Sequence, residues 1–138
     1  MTQQATGLGL TDFVKAAKTL ITEVDGAKLQ AMRNERPNLL ILDVRESSEH
    51  VQGYIEGAML VPRGILEAAA DYSYPKRVQT LVDARERPIV VYCATGGRSA
   101  MAAVTLKQMG FREVYSLAGG IVQWNNEQRP LLREATYV

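Results

Sequence analysis

The chain has 138 residues, of which 46% are hydrophobic and 22% are charged, a balance typical of a soluble globular protein. This length favours one domain with a core of useful size. The formal net charge of +1 argues against a dedicated nucleic-acid or membrane-surface binder. No apolar run approaches the length of a transmembrane helix, and residues 1–5 lack the pattern of a signal peptide. Because a single cysteine also excludes an internal disulfide, we expect a cytoplasmic protein.

Helical patterns and short apolar strands alternate along the first half of the chain. A short helix is predicted after a cap formed by Thr11 and Asp12, and a second helix after a cap at Asp25. The second helix must stop before Pro37, because the residue that precedes a proline disfavours helical geometry. The remaining predictions are strands over 21–24, 39–42 and 57–61, a helical turn over 46–51 and a helix over 64–70.

The second half continues the alternation. It predicts helices over 76–85, 99–108 and 121–126, and strands over 89–92 and 113–116. The runs 39–42 and 89–92 are continuously apolar, which is typical of central strands in a parallel sheet covered on both faces. We therefore predict an α/β fold, a mainly parallel central sheet flanked by helices on both faces. It forms one domain over 1–138, with a core over 20–132 and an N-terminal extension over 1–19 that carries the first helix.

The only cysteine, Cys93, lies where a predicted buried strand ends and a predicted helix begins. The residues that follow are small or glycine up to Arg98, so the backbone can curl and direct its N–H groups inward. Such a loop is a nest for negative charge, reinforced by the positive end of the following helix dipole. A Cys93 thiolate stabilised there would be a competent nucleophile at neutral pH.

The alternative interpretation of Cys93 is a small buried hydrophobe, the commonest role of a lone cysteine. Its place at the mouth of a glycine loop before a helix favours the catalytic interpretation. Ligands of such sheets bind at the carboxyl ends of strands, where the Cys93 loop and the pair Asp43 and Arg45 both fall. His50 is the sole histidine, so neither a zinc site nor a Cys–His pair is expected.

Several motifs agree in order and spacing with those of a known family. Cys93, four residues, Arg98 and Ser99, preceded by an apolar strand, resemble the active loop of the rhodanese sulfurtransferases. The upstream motifs are Leu42-Asp43-Val44-Arg45-Glu46, Glu49-His50, Gly53-Tyr54-Ile55-Glu56-Gly57-Ala58 and Val61-Pro62-Arg63-Gly64. The downstream motifs are Gly110-Phe111, Val114-Tyr115, Leu117, Gly119-Gly120 and Trp124. The resemblance covers residues 20–132.

The resemblance implies a ping-pong transfer of sulfane sulfur that needs no cofactor and no metal. Cys93 would take sulfur from a donor such as thiosulfate, become a persulfide, and pass the outer sulfur to cyanide or a thiol. The active loop would hold the persulfide and the anionic donor through Ala94, Thr95, Gly96, Gly97, Arg98 and Ser99. Arg98 could attract the donor or tie the loop to its surroundings. Asp43 and Arg45 are expected to form a structural ion pair, with Arg45 able to face the pocket.

Four functions stay open, and the first is a single-domain sulfurtransferase. With one cysteine no second thiol can resolve the persulfide, so its sulfur must leave to another molecule. The second function is a carrier or docking module that passes persulfide between proteins, and the third is a non-catalytic binding domain. A phosphatase or arsenate reductase is disfavoured, because related phosphatases carry one more residue between Cys and Arg. Expected partners are a small donor and a thiol or cyanide acceptor, or proteins in these roles, with no nucleic acid and no membrane.

The sequence departs from the family pattern in three places. Tyr54 stands where the family often has His, and Leu60 stands where it often has Asn. Ala94 and Thr95 occupy the part of the loop where dedicated thiosulfate enzymes carry a further basic residue. Thiosulfate should therefore bind less strongly by charge, which favours a protein or a low-molecular-weight persulfide as the natural donor.

Overall fold

A computed structural model describes residues 7–134, in which five strands form one sheet. The spatial order is β1-β5-β4-β2-β3, and every strand pairing is parallel. The strands are β1 (Thr22–Val24), β2 (Leu40–Asp43), β3 (Met59–Leu60), β4 (Pro88–Tyr92) and β5 (Glu113–Leu117). The predicted α/β class with a parallel sheet is confirmed, and β4 lies at its centre between β5 and β2.

Helices connect the strands and lie on both faces of the sheet. They are α1 (Leu10–Leu20), α2 (Gly26–Glu35), α3 (Ser47–His50), α4 (Leu66–Ala70), α5 (Gln79–Val82), α6 (Gly97–Gln108) and α7 (Gly120–Asn126), with a 3₁₀ turn over Arg63–Ile65. No helix within residues 7–134 has both the length and the apolar character that a membrane span requires. The ends of the predicted domain, residues 1–6 and 135–138, lie outside the described residues.

The two faces of the sheet carry separate apolar cores, because successive strand side chains point to opposite sides. One core packs alternate residues of β2 and β4, such as Leu42 and Val91, against α4, α5 and α6. The other packs Ile41 and Val90 against α2 and α7, whose Trp124 is buried. With both faces covered, β2 and β4 are buried at every position, as the apolar runs predict for residues 40–42 and 89–92. The last residue of β2, Asp43, is buried although it is charged.

The predicted start of the first helix needs a correction. The helix begins at Leu10, one residue before the expected cap, and Gly9 is its N-cap residue. Asp12 lies in the first turn, where its carboxylate accepts the Gly9 N–H at 2.8 Å. The predicted cap of α2 is confirmed, since the Asp25 carboxylate accepts a backbone N–H three residues later at 2.8 Å.

The helix predicted over 76–85 is wrong in extent, because only Gln79–Val82 is helical. The Val78 N–H bonds the Ala69 carbonyl at 2.9 Å, so this part of the chain is tied to α4 and does not extend the helix. After Val82 the chain leaves the helix through a three-residue turn, in which the Ala84 N–H bonds the Leu81 carbonyl at 3.0 Å.

The start of α6 matters more for function. It was expected at Ser99, but the helix begins at Gly97, so the last part of the cysteine loop is already its first turn. Gly96 is the N-cap residue, with a left-handed φ of 105° that favours glycine. The backbone N–H groups at this helix start therefore face the end of β4, where Cys93 lies.

Candidate active site

Cys93 follows the last residue of the central strand, at the carboxyl edge of the sheet. Its side chain is almost fully enclosed, with 1% of its surface exposed. Thr95 is the exposed tip of the loop between β4 and α6. The sequence therefore places the cysteine sulfur at the edge where parallel α/β sheets bind ligands, directly before the N-terminus of a 12-residue helix.

Backbone and hydroxyl groups converge on the Cys93 sulfur. Its Sγ accepts the Gly96 N–H at 3.1 Å and the Ser99 N–H at 3.4 Å, and lies 3.5 Å from the Ser99 Oγ. The Ser99 hydroxyl in turn bonds the hydroxyl of Ser116 at 2.8 Å, and both serines are fully buried. Donors fixed in this way stabilise an anionic sulfur without a metal.

The backbone of the loop is held by the first turn of α7. The Cys93 carbonyl accepts the Ile121 N–H at 2.9 Å, and the Ala94 carbonyl accepts the Val122 N–H at 3.0 Å. The loop and the first turn of α7 approach each other closely at Gly120, whose φ is 59°. A Cβ there would lie 2.6 Å from the Cys93 carbonyl oxygen and closer still to that of Ala94. Only glycine fits this position without a shift of the loop.

Arg98 makes a two-pronged ion pair with Glu49 on α3. The two Nη atoms donate to the two carboxylate oxygens at 2.8 and 2.9 Å. These hydrogen bonds lower the pKa of Glu49 to about 2, and the Glu49 carboxylate raises the pKa of Arg98. The guanidinium therefore ties the first turn of α6 to α3 and has its charge matched by a carboxylate.

A buried cluster lies at the neighbouring strand end, after β2. The Asp43 carboxylate accepts the Arg45 backbone N–H at 2.9 Å, its Nε–H at 3.0 Å and its Nη2 at 2.8 Å. Arg45 Nη2 also donates to the Gly53 carbonyl at 2.7 Å, and His50 Nδ1 lies 2.8 Å from Asp43 Oδ2. The His50 ring stacks on Tyr54 with a centroid distance of 4.3 Å. Asp43 is thus the centre of a network that joins β2, α3 and the turn after it.

Asp43 and Arg45 keep their charges although they are buried. Burial by itself would raise the pKa of Asp43, but the hydrogen bonds from Arg45 and His50 outweigh it and lower the pKa. Burial likewise opposes the charge of Arg45, and the Asp43 carboxylate overcomes it and raises the Arg45 pKa. Arg45 also lines a shallow groove with residues from the start of α7, including Ile121 and Val122.

Of the predicted loop residues, Gly96 and Ser99 contact the Cys93 sulfur, whereas Thr95 is exposed and the Arg98 side chain is bound to Glu49. Asp43 ends the neighbouring strand β2, where it pairs with Tyr92, the residue before Cys93. Three residues that contribute to the site were not predicted as site residues: Glu49, Gly120 and Ser116. Glu49 and Gly120 belong to the family-like motifs, but the sequence assigns them no role. The only sequence signal for Ser116 is a polar residue at the end of a predicted strand, which is weak. Among residues 7–134, no group of histidine, cysteine and carboxylate side chains could hold a metal ion.

Comparison with known proteins identifies the relatives of this fold and site. The family model described as "Rhodanese-like domain" matches residues 25–127 of the chain. The chain belongs to the rhodanese-like domain family. The resemblance to the rhodanese sulfurtransferases drawn from the sequence is thereby confirmed, at the level of a transferase family. In this rhodanese-like protein α1 and β1 precede the matched residues.

Relatives of this rhodanese-like protein differ in size and activity. It is 28% identical over 113 residues to a sulfurtransferase of Allochromatium vinosum, covering 82% of this chain and 96% of the relative. It is 29% identical over 121 residues to a tRNA uridine(34) hydroxylase of Escherichia fergusonii, covering 88% of this chain but only 33% of that relative. Its fold matches a Rhodopseudomonas palustris CGA009 protein of unknown function, a possible tyrosine phosphatase, with a TM-score of 0.85 and 28% identity over 96% of this chain and 100% of the other.

The first prediction concerns Gly120. Replacing it with alanine should lower the free energy of unfolding by about 3 kcal/mol. The alanine would have to adopt a left-handed backbone conformation, and its Cβ would clash with the carbonyl groups of Cys93 and Ala94. Urea denaturation measures this change. Gly64→Ala is the matched control, since a Cβ at Gly64 meets no atom within 4 Å. Equal stability of the two variants would contradict the tight approach of α7 to the loop.

The second prediction concerns the ion pair between Glu49 and Arg98. Because the folded pKa of Glu49 lies below its ordinary value of 4.5, the pair contributes stability above pH 4.5 that is lost as the pH falls towards 2. Glu49→Gln should therefore be less stable than the parent at neutral pH, by no more than about 1 kcal/mol for a partly exposed pair, and equal to it near pH 2.

Urea denaturation at a series of pH values tests this difference. Glu56→Gln is the control, because Glu56 is exposed and its carboxylate forms no ion pair among residues 7–134. A Glu49→Gln difference that stays constant from neutral pH to pH 2 would rule out the ion pair as its source.

The third prediction concerns the hydroxyl pair behind Cys93. Ser116→Ala removes the hydrogen-bond partner of the Ser99 hydroxyl, whose oxygen lies 3.5 Å from the Cys93 sulfur and which can donate to that sulfur once it is a thiolate. Iodoacetamide should then alkylate Cys93 about threefold more slowly at pH 7, because a stabilising donor to the thiolate is less well placed. Ser48→Ala makes the same chemical change at an exposed position of α3 and should leave the rate unchanged. An unchanged rate in Ser116→Ala would remove Ser116 from the site.

Proposed function

We propose that this rhodanese-like protein transfers sulfane sulfur through a Cys93 persulfide by a ping-pong mechanism. The observation that carries the proposal is the set of N–H groups from Gly96 and Ser99 directed at the Cys93 sulfur, at the start of α6. A thiolate and a persulfide are both anions, and both are stabilised by such donors. The family membership supports the same class of reaction.

In the first half-reaction the Cys93 thiolate attacks the sulfane sulfur of the donor. A new S–S bond forms at Cys93, the bond that held the transferred sulfur in the donor breaks, and the leaving group departs with the electron pair. That bond is S–S in thiosulfate or a persulfide and C–S in 3-mercaptopyruvate, from which pyruvate leaves. With thiosulfate, the leaving group is sulfite. The product on the protein is a Cys93 persulfide, whose terminal sulfur is anionic and can be held by the loop from Ala94 to Ser99.

In the second half-reaction a thiophilic acceptor, cyanide or a thiolate, attacks the outer sulfur of the persulfide. The S–S bond at Cys93 breaks, the Cys93 thiolate recovers the electron pair, and thiocyanate or a new persulfide leaves. The second step needs an outside acceptor, because Cys93 is the only cysteine. A cytoplasmic location stays a prediction from the sequence.

Arg98 is assigned a tethering role in this proposal. Both of its Nη atoms are engaged by Glu49, which supports the view that Arg98 holds the loop on α3 and does not itself bind the donor. Asp43 and Arg45 support the adjoining strand end in the same way, and Arg45 borders the groove at α7. All of these residues act by positioning, and Cys93 is the residue that reacts.

A sulfur carrier that exchanges persulfide between proteins is the second candidate. It uses the same Cys93 chemistry and differs only in showing low turnover with small donors and acceptors. The deep enclosure of the sulfur, with 1% of Cys93 exposed, is compatible with a donor that presents its sulfur on a narrow tip. Turnover with thiosulfate and cyanide separates the enzyme from the carrier.

A phosphatase function is disfavoured by the same loop. Four residues separate Cys93 from Arg98, one fewer than in the related phosphatases, and the Arg98 guanidinium is paired with a carboxylate. The R. palustris protein, itself a possible tyrosine phosphatase, makes this alternative worth testing. We expect no hydrolysis of p-nitrophenyl phosphate under conditions in which sulfur transfer is measured.

The fourth prediction tests the persulfide directly. After incubation with thiosulfate, 3-mercaptopyruvate or glutathione persulfide, intact-mass spectrometry should show a gain of about one sulfur atom. Cyanide should reverse the gain and release thiocyanate, and Cys93→Ser should show neither change. Absence of the adduct with every donor would overturn the proposed function, whereas loading without steady-state turnover would favour the carrier.

A further inference from the structure

A groove lies beside the active loop on the side that faces α1. Its volume is about 370 Å³, and it is lined by Leu10, Thr11, Val14, Lys15, Lys18, Thr95 and Gly97. Two of these residues belong to the Cys93 loop or its first helical turn, and the other five belong to one helix. Since α1 ends before residue 25, it lies outside the part of the chain that the rhodanese-like family matches.

The α1 side of the groove is a regular helical face. Thr11, Val14, Lys15 and Lys18 occupy positions i, i+3, i+4 and i+7, so they line one side of α1. The middle and the C-terminal end of α1 contact the first and last turns of α6. A Cβ at Gly97 would lie 3.3 Å from a Val14 methyl carbon, and Lys107 Nζ donates to the Leu20 carbonyl at 3.0 Å.

The charge of the groove complements an anion. The loop has one cationic side chain, Arg98, and Glu49 neutralises it in a two-pronged pair. The lysines of α1 are the cations that the groove adds. Lys18 shares its charge with Glu23 at 3.7 Å, whereas Lys15 is exposed and has no carboxylate within 4.0 Å in the described part of the chain. Lys15 thus offers a positive charge next to the loop that an anionic ligand can use.

The size and the walls of the groove indicate an organic ligand. Cavities of about 300–1,000 Å³ hold small organic molecules, and an inorganic ion such as thiosulfate would fill only a fraction of this one. Leu10 and Val14 provide apolar surface for methylene groups, and Thr11 and Thr95 provide hydroxyls. A ligand that matches these walls combines a short aliphatic body with carboxylates.

We propose that this groove binds the organic body of a carboxylate-bearing persulfide or thiol, with Lys15 as its main charge partner. The inference rests on the proposed sulfur transfer and names the class of molecule that takes part in it. A donor persulfide of the form R–S–S⁻ lies with R in the groove while the Cys93 thiolate attacks its outer sulfur. The S–S bond of the donor breaks, and R–S⁻ leaves with the electron pair, so atoms and charge balance. An acceptor thiolate uses the groove in the reverse sense.

The fifth prediction tests the groove by charge reversal. Lys15→Glu should lower kcat/KM for glutathione persulfide by about tenfold, chiefly through KM, because an anionic ligand loses an attractive charge and meets a repulsive one. The persulfide of 2-mercaptoethanol, which has no carboxylate, should change by less than about twofold in the same variant. Lys28→Glu makes the same change in net charge on an exposed position of α2 and should leave both values unaltered.

Other results would overturn the proposal. Equal losses with the carboxylate-bearing and the carboxylate-free persulfide would mean that Lys15→Glu disturbs the loop. A loss with thiosulfate as large as that with glutathione persulfide would mean that Lys15 attracts small anions and that the groove does not select an organic body. Equal losses in Lys15→Glu and Lys28→Glu would reduce the effect to net charge.

Binding without reaction separates this proposal from the proposed function. S-methylglutathione cannot transfer sulfur, so its affinity for Cys93→Ser, measured by calorimetry, reports on the groove alone. Binding that weakens about tenfold when Lys15→Glu is added supports the groove even if no persulfide forms on the parent protein. Absence of binding, or binding unaffected by Lys15→Glu, overturns the groove even if sulfur transfer is active.

Discussion

The site depends on how the chain is held where it leaves β4. The carbonyls of Cys93 and Ala94 bond the first N–H groups of α7, and this contact is possible because Gly120 has no side chain. With the two carbonyls directed towards α7, the following backbone turns so that N–H groups of Gly96 and Ser99 reach the cysteine sulfur. One peptide segment thus has its acceptors satisfied by one helix and directs its donors at the reacting atom. The electrostatic character of the site is therefore a property of the backbone.

The cationic side chains near the site serve the fold. Arg98 is paired with Glu49, and Arg45 with Asp43 in a network that also includes His50. Burial makes an unpaired charge costly, so the Asp43 network must be complete to be tolerated. Because these guanidiniums are matched by carboxylates, an anionic substrate gains little from them. In the proposed reaction, its attraction to the protein comes from backbone dipoles at the sulfur and, in the proposed groove, from the lysines of α1.

The sequence allowed the fold class, and the place of Cys93 between a buried strand and a helix, to be predicted. Both predictions use local signals, namely continuous apolar runs such as 39–42 and a cysteine at the end of such a run. The structure has buried strands at these runs. What could not be predicted depends on contacts between distant residues. The pairing of Arg98 with Glu49 joins residues 49 positions apart, and the Ser99–Ser116 bond joins two elements that only the folded sheet brings together. The start of α6 was misplaced because glycines at Gly96 and Gly97 suggest a loop, whereas one caps the helix and the other begins it.

The near-complete enclosure of the Cys93 sulfur makes the two halves of the proposed cycle sterically unequal. A donor must reach an atom walled in by its own loop, so only a slender terminal sulfur can make the approach. Once loaded, the protein carries its reactive atom one S–S bond, about 2 Å, further from the cysteine sulfur. The acceptor therefore has to reach only the outer sulfur of the persulfide, whereas the donor has to reach the cysteine sulfur itself. In the proposed cycle the loop therefore restricts the shape of the donor more strictly than that of the acceptor.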